Sequence, residues 1–349
     1  MKKRDYWNRR ALFDTGAQYL IVYGQNCSGK SYQAKLEAIE RALKGERFFH
    51  LRRYSNDLNQ NTATLYFDDM NIEKLTGGKW ENIEAWQGFY YFTRTDENGH
   101  KERSDQIGAY GALSTWQKLK SIAWVNYTYI IYEEFIATVY LDEEPLLLQR
   151  AVTALFRDHA GTVLMIGNTI SRTNPFFMEW TPGVLKQKQG TIEIYHYFDE
   201  ANENIEVTIA VEYGGKIKGS GSMFFGEASK SILAGEWSVT NQPKLPKDKI
   251  DYEEVYELAL EYQSFAFVLQ LLIDPDEGTK LLYVYPRTTN RKIERIITDK
   301  FSDNIMVTRY FKDNRPESYI MDCINNNRVC YSDNLTASDF LGVVEAMGI

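Results

Sequence analysis

The chain has 349 residues, 44% of them hydrophobic and 25% charged, a globular mix that excludes wholesale disorder and is long enough for two domains. Its net charge of −8 excludes a uniformly basic DNA-coating protein, though not a local basic patch. Three cysteines are too few for a disulfide framework and fit a reduced compartment; no apolar run approaches the roughly 18 residues that span a bilayer, and Met1–Trp7 is charged with no signal-type apolar stretch after it.

Charge is unevenly spread. Residues 1–53 carry 12 Lys/Arg against 5 Asp/Glu, so the start of the chain is net +7 and the remainder net −15. That basic start is either a phosphate-facing surface or a solvated face. Tyr19-Leu20-Ile21-Val22-Tyr23 reads as a buried strand ending at Gly24. A helical pattern follows from Lys30 through Ala34, Leu36, Ile39 and Leu43, with Gly45 as its stop. Phe48-Phe49-His50-Leu51 reads as a second strand, and residues 55–82 as helix and loop. Gly88–Arg94 followed by Asp96-Glu97-Asn98-Gly99 has the form of a hairpin with a polar tip.

Tyr129-Ile130-Ile131-Tyr132 is a third core strand, Leu146 to Phe156 an amphipathic helix, Thr162–Ile166 a fourth strand and Thr191–Tyr195 a fifth. Strands alternating with helices predict an α/β fold with a mainly parallel sheet. Beyond residue 200 the rhythm changes. Gly214 to Ser222 is rich in Gly and Ser, Pro243 and Pro246 sit among lysines, and short β-rich runs recur at 265–273, 281–285, 305–311 and 318–324 before a last helix, Ala337 to Met347.

The strongest signal is Gly24-Gln25-Asn26-Cys27-Ser28-Gly29-Lys30-Ser31, a full match to G-x-x-x-x-G-K-[ST] between a strand and a helix. Glycines let successive backbone N–H groups turn toward phosphate, and the helix N-terminus adds its positive dipole end. Lys30 supplies charge at the β- and γ-phosphates, and the Ser31 hydroxyl suits Mg²⁺. Cys27 reads as a small loop filler. A phosphate loop works with an acidic residue at a neighbouring strand end. Ile130-Ile131-Tyr132-Glu133-Glu134 provides two: Glu133 for the metal and Glu134 as general base for the attacking water. The first position is commonly Asp; the extra methylene of Glu133 would let it reach the metal through water. The nearby run Asp142-Glu143-Glu144 reads as solvated.

Phosphoryl transfer also needs positive charge in the transition state. Arg52-Arg53 follows the second strand, and Arg157 ends the helix 146–156, where it either serves that role or simply complements the helix dipole. Asn168, after the fourth strand, either senses the γ-phosphate and holds the lytic water or belongs to a turn.

Taken in order, the phosphate loop, Leu51-Arg52-Arg53-Tyr54, Tyr129 to Ile136 with its Glu133-Glu134-Phe135, Leu155-Phe156-Arg157 and Ile166 to Phe177 with its Asn174-Pro175-Phe176-Phe177 resemble the DNA packaging ATPases (encapsidation proteins, terminase-like) of small protein-primed phages of the phi29 type. The resemblance is carried by residues 15–200. It implies an ASCE-type P-loop ATPase domain (1–205), a connecting region (206–261) and a smaller β-rich α+β domain (262–349) resembling a vestigial RNase H-like nuclease. It further implies ATP and Mg²⁺ as cofactors. The expected assembly is a homopentameric ring on the portal of a procapsid, docked directly or by way of a structural RNA. Such a ring pumps double-stranded DNA in the host cytoplasm, with no membrane involved. By position, Lys30 and Ser31 bind nucleotide and metal, Glu133 is the metal acid, Glu134 the catalytic glutamate, Arg157 the arginine that reaches a neighbour's ATP and Asn168 the coupling residue.

An active nuclease would need several convergent carboxylates. The run 265–273 has none, and Asp274 to Gly278 reads as a hairpin turn, so a non-nuclease role is expected. Arg287, Arg291, Lys292 and Arg295, with Arg52 and Arg53, are the candidate nucleic-acid contacts. Two other functions remain: a packaging terminase with an active nuclease, and a phosphate-loop regulator or kinase that never meets DNA.

Overall fold

The computed structural model describes residues 6–137, 139–157, 159–198, 204–215, 241–288, 293, 295–298, 306–307 and 315–347. The chain forms two compact units: residues 1–170 with 183–237, and residues 171–182 with 238–349.

The first unit is built on a nine-stranded sheet. Its strands are β1 (Tyr19–Gly24), β2 (Arg47–Arg52), β3 (Asn82–Trp86), β4 (Phe89–Thr95), β5 (Lys101–Ala112), β6 (Tyr127–Glu133), β7 (Thr162–Asn168), β8 (Ile192–Phe198) and β9 (Ile205–Tyr213), in the spatial order β3-β4-β5-β2-β6-β7-β1-β9-β8. The run from β5 to β9 is parallel, while β3, β4 and β8 add antiparallel edges. Parallel strands are covered on both faces, which is why β1 and β6 read as unbroken apolar runs; Leu20 to Tyr23 and Tyr129 to Tyr132 are all essentially inaccessible. At the hairpin tip between β4 and β5, the Asp96 carboxylate accepts from the backbone N–H of Asn98 and His100, and Gly99 takes φ +82°.

The first unit's helices are α1 (Arg10–Phe13), α2 (Lys30–Leu43), α3 (Gln60–Leu65), α4 (Ile72–Leu75) and α5 (Glu144–Phe156). In α2, Ala34, Ala38 and Ile39 form the buried stripe, and Gly45 at φ +86° stops the chain from continuing as helix.

The second unit holds α6 (Pro175–Glu179) and a six-stranded sheet. Its strands are β10 (Glu253–Tyr262), β11 (Phe265–Ile273), β12 (Lys280–Pro286), β13 (Arg295–Thr298), β14 (Met306–Val307) and β15 (Val329–Tyr331), with helices α7 (Arg315–Asn325) and α8 (Asn334–Ala346). The order is β14-β13-β10-β11-β12-β15. β10, β11 and β12 form an antiparallel meander, and β13 and β14 extend it in parallel beside β10. This is the mixed, β-rich layout expected of the smaller domain.

Three expectations need correcting. Residues 318–324 are helix, not strand: Glu317, Ile320 and Cys323 are buried three apart, the period of a helix face. The region 206–261 is not a connection throughout. β9 pairs in parallel with β1 inside the first sheet, and β10 lies between β11 and β13 in the second. The nuclease test therefore belongs to β10, the first strand of the second sheet, and not to 265–273. β10 does carry acids; Glu254 and Glu257 both accept from the Gln270 side-chain amide. Among the described residues, no group of three or more His, Cys, Asp or Glu is placed to hold a metal. Of the run 305–311, only 306 and 307 are described, and Lys216 to Ser222 lie outside the described residues.

Candidate active site

The phosphate loop joins β1 to α2. Gly24 at φ +139° and Gly29 at φ +87° occupy backbone regions that L side chains rarely adopt, and Gly29 is the residue from which α2 begins. A side chain at Gly29 would also meet Tyr6, whose Cβ and ring edge lie 3.2–3.4 Å from the position of an added Cβ. Gln25 and Ser28 are buried, while Cys27 is exposed at φ +56°. Lys30 is only 5% exposed, and its Nζ donates to the Gln25 carbonyl at 2.7 Å and Ser28 Oγ at 3.0 Å. Burial lowers its pKa to about 8. The ammonium is thus held by two neutral oxygens of the loop, an arrangement in which a phosphate is a better partner.

The loop opens into a cleft of about 690 Å³ lined by Ser28 to Gln33, Glu133, Glu134, Asn168 and Tyr6. β6 and β7 deliver the polar ends of that lining, since in the parallel sheet Glu133 stands beside Ile166, and Asn168 beside Gly24. Of the expected nucleotide-side residues, Cys27 to Ser31, Glu133, Glu134 and Asn168 line this cleft, while Gly24 to Asn26 and Arg157 do not.

Glu133 is buried at 7% exposure. Burial alone would raise its carboxyl; the His50 imidazole, the Ser31 hydroxyl and the Arg52 guanidinium outweigh it and hold the pKa at about 2. Its Oε2 lies 3.6 Å from both His50 Nε2 and Arg52 Nη1, while Oε1 is buried with no hydrogen-bond partner. An ionised carboxylate with one unpartnered oxygen, next to the hydroxyl of Ser31, fits a divalent cation of the Mg²⁺ type. Glu134 takes φ +56°, strained for a residue with a side chain, and its carboxylate is held by Arg52 Nη2 at 2.6 Å. To act as a base it must leave that contact.

The paired arginines divide by strand alternation. Arg52 shares its side of β2 with His50 and faces Glu133 and Glu134. Arg53 turns the other way and is buried, its guanidinium forking onto Glu144 at 2.7 and 2.9 Å and donating to the Glu134 and Phe135 carbonyls. Tyr132 donates to the same carboxylate at 2.6 Å. Glu144, expected to be solvated, is fully buried because it is the counter-charge of Arg53.

Of the two arginines expected to meet nucleic acid, Arg53 is buried and Arg52 is turned onto Glu133 and Glu134. In the second unit, Arg287 is ion-paired with Glu261, and Arg295 with Glu317, where it also donates to Tyr256. Their charge is already neutralised within the chain. Arg291 and Lys292 lie outside the described residues.

Arg157 caps the C-terminus of α5 at φ +49°, ψ −109°, exposed, donating to the Ile122 carbonyl at 2.8 Å. It does not line its own chain's cleft.

Sequence reasoning missed His50, Asp69 and the aromatic contacts of the cleft. Asp69 pairs with Lys35 at 2.5 Å, three elements beyond the loop in the chain, and no motif announces it. His50 could have been found, because it stands two residues before Arg52 and so on the same side of the strand.

Residues 1–339 match the model of the family described as "Podovirus DNA encapsidation protein (Gp16)". The DNA packaging protein of Bacillus phage phi29 is 23% identical over 326 residues, 90% of this chain and 89% of that protein. That of Bacillus phage B103 is 25% identical over 280 residues, 75% of this chain and 80% of that protein. The solved structure of the bacteriophage Phi-29 viral genome packaging motor assembly superposes with a TM-score of 0.58 at 19% identity, covering 98% of this chain and 99% of that one. That of the Phi-28 gp11 DNA packaging motor superposes at 0.51 and 14%, covering 99% of each. A phosphate loop facing two strand-end glutamates, on this sheet and over nearly the whole length, places the chain in the podovirus DNA encapsidation protein family.

Proposed function

We propose that this protein is an ATP-driven motor that moves double-stranded DNA into a viral procapsid. The observation that carries the reading is the cleft in which Lys30, Ser31, Glu133, Glu134 and Asn168 converge, in a chain of this family. Lys30 and the loop N–H groups bind the phosphates of ATP. Ser31 and the free oxygen of Glu133 hold Mg²⁺, which when bound neutralises charge developing on the phosphates. Glu134, once released by Arg52, accepts the proton of the attacking water, and Asn168 senses the γ-phosphate.

Arg157, exposed and outside its own cleft, reaches the ATP of the next copy in a homopentameric ring, which sits on the portal directly or by way of a structural RNA. The motor works in the host cytoplasm. The second unit is read as a domain without nuclease chemistry. Residues 291 and 292 are left as candidate DNA contacts, since four of the six arginines and lysines first considered are ion-paired within the chain.

The test is ATPase activity with and without DNA and procapsids. Stimulation by both, abolished together with nucleotide binding in Lys30→Ala, is the expected result. ATPase indifferent to DNA would return the chain to the class of phosphate-loop regulators. Nicking of a plasmid in Mn²⁺ would establish an active nuclease instead.

A further inference from the structure

We infer that His50 is the positioning residue of the metal-facing carboxylate, holding one oxygen of Glu133 so that the other is left for the cation; this rests on the reading of Glu133 as a metal ligand. His50 is 1% exposed, on β2, and three neighbours fix it. Its ring lies on that of Tyr66, centroids 3.9 Å apart and 24° from parallel, so it cannot turn freely. Its Nδ1 lies 3.0 Å from the hydroxyl of buried Tyr90, and its Nε2 lies 3.6 Å from Glu133 Oε2.

These contacts favour one tautomer. If Nδ1 carried the hydrogen, Nε2 would turn a lone pair toward a carboxylate oxygen. With the Tyr90 hydroxyl donating to Nδ1, the hydrogen sits on Nε2 and points at Glu133. The two oxygens of Glu133 are then divided: Oε2 stands 3.6 Å from the Nε2 of His50 and from the guanidinium of Arg52, while Oε1, like His50 Nε2 itself, is buried with no hydrogen-bond partner. The 3.6 Å separation is one step longer than a hydrogen bond, a gap that a small shift of the carboxylate closes. The glutamate's extra methylene carries the carboxylate further from its own strand, and an arm of that length needs such an outside hold. Partners of this kind, one bond behind a metal ligand, commonly account for about 10–100-fold in metal affinity or activity.

The experiment compares two substitutions of similar size in the full-length protein. The amide nitrogen of Gln can stand where Nε2 stands; that of Asn reaches only the place of Nδ1. Binding of Mn²⁺ in the presence of a non-hydrolysable ATP analogue is measured by the paramagnetic resonance of the free ion, beside kcat and analogue affinity.

His50→Asn is expected to weaken Mn²⁺ binding about tenfold or more, with His50→Gln within about threefold of the parent and analogue affinity alone little changed in both. Equal Mn²⁺ affinity in the two variants, whether retained or lost, overturns the role and leaves His50 a packing residue. If neither variant folds, Tyr90→Phe, which removes one oxygen, carries the test: a loss of Mn²⁺ affinity of about threefold or more supports the relay, and an unchanged affinity overturns it. Glu133→Ala is titrated in parallel. If it binds Mn²⁺ as well as the parent, the metal reading itself is wrong; if it loses Mn²⁺ while His50→Asn does not, only the present inference falls.

Discussion

At the scale of single residues, what was legible was what lies contiguous in the chain. The phosphate loop and Glu133-Glu134 needed only a motif and a preceding strand. Arg52-Arg53 looked like one basic patch because the text of a sequence does not show which way a side chain faces; strand alternation sends one toward Glu133 and Glu134 and buries the other against Glu144. Burial makes that pair costly to break. Arg53→Ala would leave a carboxylate at 0% exposure without its counter-charge, an expected loss of about 3–5 kcal/mol in chemical denaturation, far beyond what removal of a solvated arginine gives. Lys30 yields a proton-linked prediction. Its pKa is about 8 in the folded chain against an ordinary 10.5, so the folded state binds fewer protons in that window and stability from this residue rises as pH goes from 8 to 10.5. Phosphate restores the charged form, so nucleotide binding at pH 9 should take up a proton and affinity should fall as pH rises past 8. Calorimetry in two buffers of different ionisation enthalpy measures this directly, and zero uptake at pH 9 would remove Lys30 from the phosphates.

At the scale of elements, periodicity gave the long buried strands and the helices α2 and α5, since continuous apolar runs and a 3.6-residue stripe are hard to confuse. It failed at 318–324, where seven residues with five apolar positions fit either period, and only burial of Ile320 and Cys323 on one face decides for α7. The end of α5 carries its own prediction. Arg157 holds φ +49°, ψ −109°, a conformation that costs a side-chain-bearing residue about 1–3 kcal/mol. Glycine would relieve it, so Arg157→Gly should leave the isolated chain as stable or about 1 kcal/mol more stable, whereas a merely structural cap should resist replacement. If Arg157 serves a neighbouring copy, the same variant should lose ATPase that rises more than linearly with protein concentration, while nucleotide affinity stays near normal. Strictly linear activity in the parent, unaltered by Arg157→Gly, would reduce the residue to a helix-end charge.

At the scale of the whole molecule, the sequence suggested two domains but not where the chain passes between them. β9 was missed because Glu206, Thr208 and Glu212 break its apolar pattern, although it pairs with β1 beside the phosphate loop. More consequential is the stretch Ser171–Pro182. It follows the strand end of Asn168 by two residues, yet belongs to the second unit, and the chain returns to the first at Gly183. Within the second unit it is held on α8: Arg172 pairs with Asp339 at 3.2 Å, and Thr173 sits against Gly342. A Cβ at Gly342 would fall 2.0 Å from Thr173 Oγ1, a clash that no rotamer of alanine avoids. Alanine elsewhere in a helix gains about 0.5–1 kcal/mol over glycine. Here overpacking, typically about 1–3 kcal/mol, should exceed that gain and push the segment off α8. Gly342→Ala should therefore lower the unfolding midpoint of the second unit and expose the 171–182 stretch to protease. Nucleotide affinity, set by the cleft of the first unit, should stay near that of the parent. A variant as stable and as protease-resistant as the parent would show that the segment is not seated on α8 in solution.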